Sequence, residues 1–343
     1  MLITDFDFEL PDELIAQEPL KNREKSRMLS VNRASKSFWD EHFYDFPKFL
    51  KKGDVIVLNN TKVFPARLFG TSETGGKIEL FLVRETENHV WETLARPARR
   101  LKTGKIINFG ENLSAEVLEK TEEGRVFVKF ETSGDFDEIL DRIGKTPLPP
   151  YIRREDGDFD KDRERYQTVF ARNRGAIAAP TAGLHFTPQI LEEIKNLGAR
   201  IAEITLHVGY GTFEPVRAAD LAEHKVLPEQ VEITEETAES LNQAKKENRR
   251  IIAIGTTTTR ALETSVSKHG KFVAEKTLAD LTITPNYKFK AIDGLLTNFH
   301  LPQSSLLVLV STFGSYELIM NSYKHAVAEK YRFYSYGDCM LVI

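Results

Sequence analysis

The chain has 343 residues, with 47 Lys plus Arg against 51 Asp plus Glu and a formal net charge of −4, a length that points to roughly two domains. At 41% hydrophobic and 29% charged it can bury a large core, which excludes a disordered or low-complexity chain. A lone cysteine, Cys339, excludes a disulfide framework and a thiolate-cluster metal site.

Apolar runs such as 306–310 fall far short of the roughly 18 residues that suggest a membrane span. The opening Met1-Leu2-Ile3-Thr4-Asp5 has no basic or apolar leader pattern, so no secretory signal and a cytoplasmic protein are expected. Residues 10–17, with Pro11 followed by acids, predict a short helix. Strands are predicted at 28–32 and 54–59, the second as a nearly continuous apolar run buried on both faces.

From residue 67 onward the texture changes. Short β-rich runs at 77–84, 89–95, 105–109, 114–118 and 125–130 are separated by turn signals such as Gly75-Gly76, Thr103-Gly104 and Gly124. That rhythm predicts a small antiparallel barrel. Pro147-Leu148-Pro149-Pro150 is a stiff linker where it ends. Beyond the linker a strand is predicted at 176–179, then a helix capped by Thr187 and Pro188 and closed by Gly198. Strands at 199–208, 251–254 and 291–297 alternate with helices at 235–248, 260–268 and 305–313, which argues for a largely parallel sheet. The expected fold is α/β. A mostly parallel sheet domain is formed by both chain ends (1–66 and 148–343), with a small β-barrel inserted at 67–147.

Ligands of open parallel sheets bind beyond the carboxyl ends of the strands. Four polar or glycine-rich loops fall there: Pro180-Thr181-Ala182-Gly183-Leu184-His185, His207-Val208-Gly209-Tyr210-Gly211-Thr212, Gly255-Thr256-Thr257-Thr258-Thr259-Arg260, and Asn298-Phe299-His300. On the strand entering the second loop, Glu203, Thr205 and His207 share a polar face. That face needs hydrogen-bond partners or a lined cavity, unless it simply meets solvent. The threonine loop stands at a helix N-terminus, where amides and hydroxyls can hold a carboxylate or phosphate, or merely form a capped turn. It lacks the phosphate-loop pattern of nucleoside triphosphate sites.

Of 8 histidines, His185, His207 and His300 lie in these loops, and none shows metal-ligand spacing, so no metal is expected. Imidazoles there are candidates for proton transfer, against the ordinary reading of a hydrogen-bonded structural histidine. Arg96, Arg99, Arg100, Lys102 and Lys105 form a local basic stretch in the predicted barrel, extended by Arg153 and Arg154. Such a stretch suits RNA phosphates or a solvated barrel face.

In chain order, Ala179-Pro180-Thr181-Ala182-Gly183-Leu184-His185-Phe186-Thr187, Thr205-Leu206-His207-Val208-Gly209 and Leu296-Thr297-Asn298-Phe299-His300-Leu301-Pro302 resemble the S-adenosylmethionine:tRNA ribosyltransferase-isomerase family of queuosine biosynthesis. So do Leu14-Ile15-Ala16-Gln17, Arg165-Tyr166-Gln167-Thr168-Val169, and Tyr331-Arg332-Phe333 with Ser335-Tyr336-Gly337-Asp338. The resemblance runs from end to end. It implies transfer and isomerisation of the ribosyl portion of S-adenosylmethionine onto 7-aminomethyl-7-deazaguanine at the tRNA wobble position. The products are epoxyqueuosine-tRNA, adenine and methionine. S-adenosylmethionine is then a consumed substrate, no cofactor is needed, and the partner is tRNA bound by a monomer.

Within that reading His185 or His207 handles the proton, with His300 as a third candidate. Thr256, Thr257 and Arg260 receive the methionine carboxylate, Gly209 and Gly211 admit the ligand, and Glu214 faces its ammonium or sulfonium group. Thr181, Gly183, Thr212 and Asn298 complete the expected pocket. Two positions depart from the family pattern: Leu227 stands where a second histidine is usual, and Asn60 where an aspartate is common. The rival readings are an S-adenosylmethionine-dependent tRNA methyltransferase and a non-catalytic tRNA-binding relative.

Overall fold

The apolar run Val55–Asn59 lies completely buried near the middle of a nine-stranded sheet. The computed structural model describes residues 1–154, 160–213, 216 and 218–343. Across the sheet the order is Glu275–Ala279, Glu229–Ile233, Arg200–Leu206, Val55–Asn59, Ile251–Ile254, Gly294–Asn298, Cys339–Val342, Arg27–Asn32 and Ser37–His42. The four strands from Arg200–Leu206 to Gly294–Asn298 run parallel, as the alternation of strands and helices predicts. The flanks add antiparallel pairs on both sides, so the sheet as a whole is mixed. Cys339–Val342 inserts between Gly294–Asn298 and Arg27–Asn32, so that the two chain ends share one sheet.

Six strands, Arg67–Ser72, Lys77–Glu87, Val90–Arg96, Ile106–Gly110, Leu113–Lys120 and Val126–Thr132, close into an antiparallel barrel. Alternate residues such as Leu80, Leu82, Val117, Val126 and Val128 fill its interior. The sequence reading missed the first barrel strand and the helix Phe136–Ile143, whose Asp135 cap accepts the Glu138 N–H at 2.9 Å. That helix lays Phe136, Ile139 and Leu140 on the barrel core. Arg67 and Lys145 exchange backbone hydrogen bonds of 2.8 and 3.2 Å, so the chain enters and leaves the barrel side by side.

Three local expectations change. Residues 10–17 form only a 3₁₀ turn, Asp12–Leu14, because one turn fixes many dihedrals for few hydrogen bonds. The strand expected at 176–179 lies earlier, at Asn173–Ala176, and pairs with Thr61–Val63 outside the main sheet. The helix expected from Arg260 starts at Thr256. Thr258 and Thr259 are held in its first turn by hydroxyl bonds back to the Ile254 and Gly255 carbonyls, at 2.7 and 3.1 Å, which offsets their poor helical propensity. Among the described residues no helix is long and apolar enough to cross a membrane.

Candidate active site

The polar face of the Arg200–Leu206 strand finds partners along most of its length. Asn60 donates to the Glu203 carboxylate at 3.0 Å and accepts from Thr205 at 2.7 Å and from Asn173 at 3.2 Å, while Arg172 pairs with Glu203. The amide at position 60 thus both donates and accepts, which an aspartate cannot do beside a second carboxylate. At the end of this face, His207 meets a cavity.

His207 Nδ1 lies 2.8 Å from the Thr61 hydroxyl. Gly175 backs the ring: a Cβ there would stand 2.7 Å from it, and the backbone has φ +152°, so both space and conformation call for glycine. Together His207 and Gly175 border a cleft of about 680 Å³ between barrel and sheet. Arg84, Trp91, Glu92 and Arg125 line it from the barrel, and His207, Gly209, Tyr210, Gly211 and Leu227 from the sheet. Burial lowers the His207 pKa below the ordinary 6.5, while the charge of Glu232 opposes that shift. The imidazole is therefore neutral at physiological pH and able to accept a proton. Leu227, at one of the two departures, forms an apolar half-exposed wall against Gly211.

The glycine loop is anchored from behind. Glu229 accepts the Gly209 N–H at 3.0 Å on one oxygen and Arg260 at 2.8 Å on the other. Arg260 also donates to the carbonyls of Ala279, Leu227 and Leu281 at 3.0 to 3.3 Å. Four of its five N–H groups are thus used within the protein, so Arg260 chiefly braces this loop, and it lines the same small recess as Thr257. Thr256 and Thr257 remain open: both are buried at the N-terminus of Thr256–His269, and neither hydroxyl has a hydrogen-bond partner among the described residues. Thr257 lines a small recess that shares Gly211, Leu227 and Glu229 with the cleft. Glu214 lies outside the described residues, as does the side chain of Thr212, whose backbone belongs to the 3₁₀ turn Tyr210–Phe213.

The other two histidines are placed differently from expectation. His185 is buried between the Ser26 hydroxyl, 2.6 Å from Nδ1, and Asn298 Oδ1, 3.2 Å from Nε2. Burial lowers its pKa to about 4. Asn298 in turn donates to the Tyr334 carbonyl at 2.8 Å. Neither residue lines the cleft. His300 is buried, with Nε2 2.9 Å from the Thr297 hydroxyl and its pKa lowered to about 3 by burial. Gly183 packs against Thr168 and Phe170, and Thr181 opens the short turn that carries His185. This group therefore ties strand ends together and stands apart from the cleft.

Arg96, Arg99 and Lys102 are exposed, Lys105 is half-buried, and none has an ion-pair partner among the described residues. They lie at the far end of the Val90–Arg96 strand whose start, Trp91 and Glu92, lines the cleft, about 17 Å away along the strand. The Arg100 side chain is outside the described set. Arg153 is exposed, but Arg154 is not available to RNA: its guanidinium is buried on Asp162 at 2.6 and 3.0 Å. Among the described residues no three His, Cys, Asp or Glu side chains form a metal-binding group. Thr61, Gly175 and Glu229 were given no role in the sequence reading, because nothing in their local spacing links them to His207 or Gly209.

Residues 3–342 match the family described as "Queuosine biosynthesis protein". The chain is 48% identical to the S-adenosylmethionine:tRNA ribosyltransferase-isomerase of Natranaerobius thermophilus, over 100% of this chain and 99% of that one. It is 49% identical to the protein of that name from Staphylococcus haemolyticus, over the full length of both. A crystal structure of S-adenosylmethionine tRNA ribosyltransferase from Thermotoga maritima superposes with a TM-score of 0.56 at 34% identity. That match covers 99% of this chain and 100% of that one.

Proposed function

Since the chain belongs to the queuosine biosynthesis family, we infer that it transfers and isomerises the ribosyl moiety of S-adenosylmethionine onto 7-aminomethyl-7-deazaguanine at the tRNA wobble position. The ribosyl carbons stay on the aminomethyl nitrogen as epoxyqueuosine, and adenine and methionine leave. S-adenosylmethionine is consumed in this reaction, which uses no separate cofactor. The acceptor is a tRNA, which assigns the protein to the cytoplasm, where it acts as a monomer.

The observation that carries the site assignment is a neutral His207 on the wall of the cleft between barrel and sheet. It removes the proton beside the sulfonium and returns one to the departing adenine. Gly209 and Gly211 let the ligand approach the backbone. The hydroxyl of Thr257 on the small recess, with Thr256 behind it and the amides of their helix N-terminus, holds the methionine carboxylate. Trp91 and Tyr210 offer ring faces for adenine. Arg96, Arg99, Lys102 and Lys105, with Arg153 as a second contact, meet the tRNA backbone.

Incubation with S-adenosylmethionine and a tRNA carrying the aminomethyl base tests this reading. Free adenine and a ribosyl-sized mass increase on the tRNA support it. Release of S-adenosylhomocysteine with a one-carbon increase identifies a methyltransferase instead, and tRNA binding without adenine release identifies a non-catalytic relative.

A further inference from the structure

His207 borders a second recess, of about 410 Å³, over the outer strands of the sheet, lined with Thr205, Gln230, Glu232, Lys276 and Leu278. His207, Gln230 and Leu278 also line the larger cleft, so the two spaces meet at the imidazole. The strand register sets Thr205 opposite Glu232 and Glu232 opposite Lys276, on one face of three neighbouring strands. Glu232 and Lys276 pair at 3.1 Å with side chains 40% and 78% exposed. A pair that exposed stabilises the fold little and can exchange partners readily. Leu278 adds a large apolar surface that is 48% exposed.

The chemistry of the acceptor base matches this face. In a 7-deazaguanine the ring nitrogen at position 7 is a carbon, and here that carbon bears the reacting aminomethyl group. The edge still free to be read carries two N–H donors beside the O6 acceptor. A carboxylate accepts from both donors, and a neighbouring ammonium donates to O6. An apolar side chain supports the ring of a base splayed out of an RNA loop. With that edge on Glu232 and Lys276, the aminomethyl group leaves the ring on the O6 side, roughly at right angles to the N–H donors and clear of Glu232. His207 follows Thr205 by two residues, about 7 Å along the strand, close to the breadth of a fused bicyclic base.

We propose that this recess is the acceptor-base site, with Glu232 and Lys276 reading the guanine-like edge and Leu278 supporting the ring. The assignment rests on the function inferred above. It leaves the larger cleft to S-adenosylmethionine and places both substrates against one proton-handling group.

Glu232→Gln tests it in two assays. In steady-state adenine release, the KM for tRNA carrying 7-aminomethyl-7-deazaguanine rises about tenfold, while the KM for S-adenosylmethionine changes less than twofold. An unchanged tRNA KM, or a shift in the S-adenosylmethionine KM instead, overturns the proposal. In competition binding, the wild type prefers a transcript with guanine at the wobble position over one with adenine, and the variant loses that preference. A preference retained by the variant, or absent from the wild type, overturns the proposal. The binding assay needs no turnover, so a protein that releases no adenine refutes the functional reading while this assay still decides the recess. Unchanged thermal melting of Glu232→Gln shows that neither result reflects misfolding.

Discussion

Arg260 and Glu229 form a buried ion pair of 2.8 Å, with side chains 8% and 5% exposed, and the second Glu229 oxygen accepts the Gly209 N–H at 3.0 Å. The pair thus connects the helix Thr256–His269 to the glycine loop beside His207. Arg260→Ala removes the guanidinium's pairing with buried Glu229 and its three bonds to backbone carbonyls, and the expected loss is about 3–5 kcal/mol of stability. Arg260→Lys keeps a charge but not the four-acceptor fork, so it falls between wild type and alanine. Chemical denaturation measures both, and a loss below about 1 kcal/mol for the alanine variant contradicts this account.

His207→Ala is expected to lower adenine release by about 10²- to 10⁴-fold, the range usual for a general base, with tRNA affinity preserved. Burial holds the His207 pKa below 6.5, and the base acts only when neutral. The acidic limb of the rate profile therefore lies below pH 6.5, with activity falling as the pH drops through it. A pH–rate profile of adenine release checks the sign. An alanine variant with wild-type turnover removes His207 from the chemistry.

His185 and His300 make stability depend on acid. Their folded pKa values, about 4 and about 3, lie below the unfolded 6.5. Between those limits the unfolded chain binds more protons, so stability rises with pH. The contribution is complete above pH 6.5 and is lost as the pH falls toward 4 and then 3, at roughly 1.4 kcal/mol for each pH step of one that either group crosses between those limits. His185→Gln flattens the upper part of that dependence in calorimetric melts while retaining turnover in the folded protein. A fully stable His185→Gln that releases no adenine returns His185 to the mechanism.

Arg99→Ala combined with Lys102→Ala removes two exposed cations, neither in an ion pair among the described residues, from the turn beyond the Val90–Arg96 strand. Weaker tRNA binding is expected, with a slope of log affinity against log salt shallower by about one to two. Arg154→Ala acts differently, because that side chain holds the buried Asp162. It destabilises the fold and leaves the salt slope of the folded protein unchanged. Salt titrations of tRNA binding for both variants separate the two roles.

Local pattern alone determines much of this protein. The apolar run at Val55–Asn59, the capped helix Pro188–Asn196, the four-residue strand Ile251–Ile254 and the turn-spaced strands of the barrel each follow from spacing within a dozen residues. The motifs that carry the family resemblance are contiguous too, so the family and its reaction are readable before any fold is known. The choice among His185, His207 and His300 is not readable in this way, because all three stand in similar loops at strand ends.

What separates them is the company each keeps after folding. His207 meets Thr61, 146 residues away, and the bare backbone of Gly175, and it lines a cleft of about 680 Å³. His185 meets Ser26, 159 residues away, has a partner on each ring nitrogen, and borders only a recess of about 20 Å³. The same distinction turns Arg154, and most of the Arg260 guanidinium, to partners within the fold. Burial and partnership depend on packing between segments remote in the chain, and periodicity within a segment carries no record of them.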